Sequence, residues 1–186
     1  MRIIGGEYRG RRLAALGKGD AGAHLRPTTD RVRESLFSVL MGGRFGDPVT
    51  DRVVLDLFAG TGALGLEALS RGARHCTFVD DGRVAQRLIS QNVAELRAKD
   101  RTSLLRVNAN RLPACPGVPA GLVFLDPPYG RGHGQTALAA ATAQGWIAEE
   151  ALIVWEESTP QEAPEGFVLL ESRRYGDTHI TLLERG

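Results

Sequence analysis

Cysteine, lysine and long apolar runs are scarce in this chain of 186 residues. Its two cysteines, Cys76 and Cys115, share no short motif with each other or with any of the four histidines. That excludes a disulfide framework; both are read as reduced thiols, and no metal site is expected. Apolar stretches such as Gly121–Leu125 are strand-sized, far short of a bilayer span, so no membrane partner is expected. The opening Met-Arg-Ile-Ile-Gly-Gly holds no secretory apolar stretch, and the expected location is cytoplasmic. What is present is ordinary for one globular domain, here read as a monomer: 42% hydrophobic and 24% charged residues, which excludes wholesale disorder.

The formal net charge of +1 conceals an asymmetry. Residues 1–33 hold eight basic side chains against three acids, a net +5, whereas the remaining 153 residues carry 15 against 19, a net −4. Of the 23 basic residues 21 are arginine, whose planar fork suits phosphate. A basic arm on a mildly acidic body points to a polyanionic partner reached through Arg2, Arg9, Arg11, Arg12, Arg26, Arg31 and Arg33. A merely solvated, charged extension is the other reading.

Residues 2–13 alternate around Gly5-Gly6 and suggest a hairpin with Ile3, Ile4, Tyr8 and Leu13 as its apolar positions. Residues 14–26 read as a loop, and Thr28-Thr29-Asp30 offers caps for a helix carrying Val32, Leu36, Val39 and Leu40. From Val53 the pattern alternates strand and helix: strands at Val53–Leu57, His75–Val79, Ser103–Val107, Gly121–Leu125 and Ala151–Trp155, helices at Ala63–Arg71, Arg83–Lys99 and Gln135–Gln144. Phe167–Glu171 and His179–Leu183 read as a closing antiparallel pair. The expectation is an α/β fold, a mostly parallel seven-stranded sheet with helices on both faces. A small basic extension (residues 1–48: hairpin, loop and helix) precedes the main domain (residues 49–186).

One motif lies where the first of these strands meets its helix: Asp56-Leu57-Phe58-Ala59-Gly60-Thr61-Gly62-Ala63-Leu64-Gly65. Its glycines let a ligand approach the backbone, and Asp80, 20 residues beyond Gly60, ends the next strand where an acid can hold ribose hydroxyls. Asp81 follows it and competes for that role. A dinucleotide would bring pyrophosphate to this loop, facing the Asp56 carboxylate unfavourably. S-adenosylmethionine carries a sulfonium and an ammonium instead, so the acid favours it over NAD.

The second motif, Asp126-Pro127-Pro128-Tyr129, ends the fourth strand, where open α/β sheets bind ligands. Two prolines stiffen the turn and remove two donors. The Asp126 carboxylate and the Pro127 carbonyl then form an acceptor pair for an exocyclic amine, and Tyr129 offers a flat face to an unstacked base.

Together the two motifs resemble the amino-methyltransferases. With Met1-Arg2-Ile3-Ile4-Gly5-Gly6, Arg26-Pro27-Thr28-Thr29-Asp30-Arg31-Val32-Arg33-Glu34, Val107-Asn108-Ala109-Asn110 and Tyr175-Gly176, the likeness narrows to the RsmD family, over nearly the whole chain. The resemblance implies a Rossmann-like class I methyltransferase fold. It also implies transfer of a methyl group from S-adenosylmethionine to N2 of one guanine in 16S ribosomal RNA, within a small-subunit particle. Asn110 would contact the cofactor adenine, with Asn108 the competitor. The rival readings are an amino-methyltransferase of DNA adenine or protein glutamine, and an inactive RNA-binding module on the same fold. The histidines receive no role.

Overall fold

The computed structural model describes residues 1–17 and 28–186, so Arg26 and most of the expected loop lie outside the described residues. The order of elements is α1 (Asp30–Leu40), β1 (Val53–Leu57), α2 (Ala63–Ser70), β2 (His75–Val79), α3 (Arg83–Glu95), β3 (Thr102–Leu105), β4 (Ala120–Leu125), α4 (His133–Ala143), β5 (Ile147–Glu157), β6 (Phe167–Tyr175) and β7 (Thr178–Arg185). Seven strands form one sheet ordered β3-β2-β1-β4-β5-β7-β6. The first five pair in parallel, and β7 runs antiparallel between β5 and β6.

Strand alternation divides the core. Val54, Phe78, Phe124, Leu152 and Val154 face one way with α2, and Leu55, Leu57, Val123, Leu125 and Ile153 face α4 on the other. Thr29 caps α1 by accepting from the Val32 N–H. The chain reverses order between β1 and β4, so the loops leaving these strands open the crevice where ligands bind in such sheets.

The N-terminal segment pairs residues 1–3 with 11–13 through an antiparallel bridge between Arg2 and Arg12, a hairpin whose turn is wider than Gly5-Gly6. Residues 5–10 make a broad turn closed by Ile3 N–H to Arg11 C=O (2.9 Å) and Gly10 N–H to Ile3 C=O (2.9 Å). The glycines serve another contact. Ile4 and Gly5 N–H both donate to the Glu67 carboxylate (2.9 Å each), and Glu7 N–H donates to Ser70 C=O (2.7 Å). A Cβ at Gly6, where φ is +77°, would stand 1.8 Å from that carbonyl oxygen. Asn92 of α3 binds Ala14 at both N–H and C=O. Ile3, Leu13, Leu36, Phe37 and Leu40 join the same core as β1 and α2, so the described residues of 1–48 pack on the main domain and form no separate core.

Other boundaries shift for local reasons. The third helix stops at Glu95 because Arg97 turns left-handed (φ 54°), and Lys99–Arg101 makes a short 3-10 turn. A register shift opposite Ala120/Leu122 lets β5 begin at Ile147, before the polar Glu149-Glu150. Edge strand β6 continues through Ser172, Arg173 and Arg174, whose exposure hides its strand character in the sequence.

Candidate active site

Five parallel strands end at one rim. The loop after β1 is held from beneath: Asp56, 1% exposed, accepts from the Gly65 N–H at 3.0 Å. A Cβ at Gly65 would meet Cys76 Sγ and the Phe78 ring at 2.5 Å, so helix and strand close together only with glycine there. Asp56 is therefore a buried support for the loop; its carboxylate is not open to the crevice as the sequence suggests. Burial, with Asp80 adding to it and the Gly65 N–H opposing, pushes its carboxyl up to about 8.

Asp80, just after β2, holds the loop by accepting from Gly60 N–H on Oδ2 (3.0 Å) and closes its own turn by accepting from Gly82 N–H on Oδ1 (2.9 Å). Asp81 is exposed and bound by Asn108 Nδ2 (2.8 Å). Asn108 also accepts from the Asn110 N–H, so both ends of its amide are engaged in the turn. Asn110 meets His133 Nδ1 through Nδ2 at 3.0 Å, and its Oδ1 is buried without a partner among the described groups. Asn108, Asn110, Arg111 and Thr136 line an open depression beside this turn. His133, read as a loop residue without a role, opens α4 and faces Phe58 with ring centroids 6.4 Å apart. Phe58 adopts φ +58°, a strained setting for an aromatic residue. Thr61 is buried, and its carbonyl accepts from Asn92 Nδ2 (2.9 Å), tying the loop to α3.

At the end of β4, Asp126 N–H reaches Leu57 C=O (3.3 Å), which sets the two motifs side by side. Asp126 is half-buried, Pro127 buried and Pro128 exposed. Burial raises the Asp126 carboxyl well above its ordinary value, and every charged neighbour that raises it further, Glu156, Asp56 and Glu157, is itself an acid. The Tyr129 hydroxyl is bound by Glu156 Oε1 (3.3 Å) and Thr178 Oγ1 (3.1 Å), and burial pushes its phenol up to about 12. Glu156 and Glu157 are the site residues that sequence reading missed. The available signal was a pair of acids closing the apolar run Ala151–Trp155.

The anchored hydroxyl refines the expectation for Tyr129. Tyr129→Phe loses one or two hydrogen bonds, about 0.5–1.5 kcal/mol, and keeps the ring. Tyr129→Ala loses the base-stacking face, about 1–3 kcal/mol more. Single-turnover rates on RNA measure the difference; equal damage in both variants would assign the function to the hydroxyl.

Among the basic candidates, Arg2, Arg9, Arg11, Arg12 and Arg31 are exposed. Arg33 is a correction. Its side chain is wholly buried and donates to Thr28 C=O, Arg2 C=O and Asp30 Oδ1, so it builds the segment and offers nothing to RNA.

The family described as conserved hypothetical protein 95 matches residues 1–184. The chain belongs to this family. Within it, ribosomal RNA small subunit methyltransferase D of Escherichia coli strain K12 is 40% identical over 164 residues, 88% of this chain and 78% of that one. These relatives are the RsmD family that the sequence resembles. The solved E. coli yhhF structure superposes with a TM-score of 0.83 at 37% identity, covering 100% of this chain and 97% of that one. P. horikoshii TYW2, solved with MeSAdo, shares the fold at 18% identity and a TM-score of 0.61, over 89% and 65% of the two chains. The family member described here thus has the class I methyltransferase fold, its mostly parallel sheet closed by a C-terminal antiparallel pair.

Proposed function

We propose that the chain transfers a methyl group from S-adenosylmethionine to the exocyclic N2 amine of a guanine in 16S ribosomal RNA, presented in a small-subunit particle. The observation that carries this reading is the acidic crevice at the β1/β4 switch, with a rigid acceptor turn and an anchored aromatic ring at its side. The Asp80 carboxylate, fixed against the Gly60 N–H of the loop, disfavours a pyrophosphate there and suits a ribose or a cationic cofactor. Asn110, at the depression beside α4, carries an amide of the kind that pairs with an adenine edge.

When bound, S-adenosylmethionine supplies an electrophilic methyl on a sulfonium. Asp80 and the Gly60–Gly62 loop would hold its ribose and backbone side, with Asn110 and Phe58 toward the adenine. Asp126 and the Pro127 carbonyl accept the N2–H bonds of a flipped guanine, aim its lone pair and stabilise positive charge forming on nitrogen. Tyr129 stacks on the base. No strong base is needed, because the methylated ammonium is acidic enough to lose its proton afterwards.

Asp80→Ala removes a charged acceptor for the ribose and frees the Gly60 and Gly82 N–H groups, so titration calorimetry should show binding weaker by about 1.5–3 kcal/mol. Unchanged affinity would transfer the role to Asp81.

The exposed arginines of the first segment supply the electrostatic grip on RNA. Arg9, Arg11 and Arg12 replaced together by Ala should weaken RNA binding and flatten its salt dependence by a slope of roughly 0.7–0.9 for each phosphate no longer neutralised. Cofactor affinity should stay the same. Salt series of equal slope for both proteins would leave the segment a solvated extension.

The decisive experiment incubates unmodified small ribosomal subunits with the protein and labelled S-adenosylmethionine, then identifies the labelled nucleoside by mass spectrometry. N2-methylguanosine supports the reading. Label in methyladenosine or in protein, or none at all, overturns it.

A further inference from the structure

Thr28 belongs to the Arg26–Glu34 block, yet the chemistry above gives it no task. Its hydroxyl donates to Glu156 Oε2 at 3.0 Å, across 128 residues of sequence. The other oxygen of that carboxylate, Oε1, accepts from the Tyr129 hydroxyl at 3.3 Å, and the same hydroxyl meets Thr178 Oγ1 at 3.1 Å. Glu156 itself is 7% exposed at the end of β5. Thr28 also ties to the core of the first segment, because its carbonyl accepts from the wholly buried Arg33, which in turn holds the Arg2 carbonyl. One side chain therefore receives the entrance of α1 on one oxygen and the base platform on the other.

We propose that Glu156 is a positioning residue through which the N-terminal segment sets the Tyr129 ring for the incoming base. The inference rests on the proposed role of Tyr129 as the stacking platform. A carboxylate accepts on both oxygens at once, so it joins two hydroxyls in a fixed geometry without touching the substrate. Arg31, exposed in the first turn of α1, follows Thr28 by three residues. When the segment seats on RNA, α1 and Thr28 are held, and Glu156 passes that placement to Tyr129. Burial keeps the phenol protonated, which makes it the donor in this bond.

A double-mutant cycle on full-length protein tests the idea, read as single-turnover methylation of small subunits with enzyme in excess. Glu156→Ala should lower the rate about tenfold, and Thr28→Val about two- to fivefold, with S-adenosylhomocysteine affinity unchanged by calorimetry in both. Glu156→Gln should recover most of the rate, since its amide can still meet both hydroxyls. In a Tyr129→Phe background the Thr28→Val loss should vanish, because the route through the hydroxyl is already cut. Multiplicative losses in the double variant would overturn the proposal. So would a Gln variant as slow as the Ala variant, which would make Glu156 a charge or proton acceptor instead. Should Glu156→Ala fold poorly, Thr28→Val and Glu156→Gln carry the test alone. Equal rates for Tyr129→Phe and Tyr129→Ala would identify failure of the platform reading itself, separately from failure of the junction.

Discussion

Asp126→Ala is expected to cut turnover by about 10²–10³-fold, the scale of losing a preorganised group that stabilises developing charge. S-adenosylhomocysteine should bind nearly as before, because the loop after β1 and Asp80 remain. Asp126→Asn keeps one acceptor oxygen and should lose less. The pH dependence carries a definite sign. Burial, then Glu156, Asp56 and Glu157, raise the Asp126 carboxyl, so the free enzyme holds a proton there above the usual carboxylate range. Only the ionised form accepts on both oxygens, so kcat/KM, which reports the free enzyme, should climb with pH on a limb displaced upward from ordinary aspartate. Stability runs the other way. A carboxyl raised on folding destabilises the fold progressively as pH rises above its unfolded value, levelling off beyond the folded one. Asp126→Asn should therefore gain stability over the wild type across that window, measured by melting at a series of pH values. A variant with full turnover would remove Asp126 from the chemistry.

Glu67→Ala should be the most destabilising substitution outside the strands. Glu67 is fully buried, and its carboxylate serves Ile4 N–H, Gly5 N–H and Arg71 Nε, the last at 2.8 Å. Removing it leaves two backbone donors and a guanidinium without their acceptor, a loss of about 3 kcal/mol or more. For a domain of this size that lowers the melting temperature by about 6–12 °C. The first segment should also detach, so RNA affinity and its salt dependence should fall together with stability. Glu67→Gln retains one acceptor oxygen and should lie between. A Glu67→Ala protein that melts like the wild type would mean that the segment is held by its apolar residues alone.

The strands β1 and β2 were legible to the residue because both are apolar runs that end at a glycine loop or an aspartate. The two motifs were legible because glycine and proline patterns are local. Glu156 escaped because its importance comes from a cross-strand neighbour: the pairing of Leu125 with Trp155 sets it beside Asp126. Arg33 misled for the same reason. An arginine in a basic stretch reads as a surface charge, and only the packing of Thr28, Arg2 and Asp30 around it turns it inward. Gly5-Gly6 signalled a tight turn, whereas their small size answers the surface of α2, 62 residues away in the Gly5 bond to Glu67 and at the Ser70 carbonyl beside Gly6.

That separation bears on how the chain is made. Synthesis runs from N- to C-terminus, so the segment is made before the residues that seat it. The acceptors that seat it, on Glu67, Ser70 and Asn92, are translated only after a further 60 or more residues. Long-range closures of this kind come late in folding. The segment, which opens the stretch of net charge +5 over residues 1–33, is therefore made well before its seat and is among the last parts to be placed, a cationic strand held meanwhile beside the RNA of the ribosome.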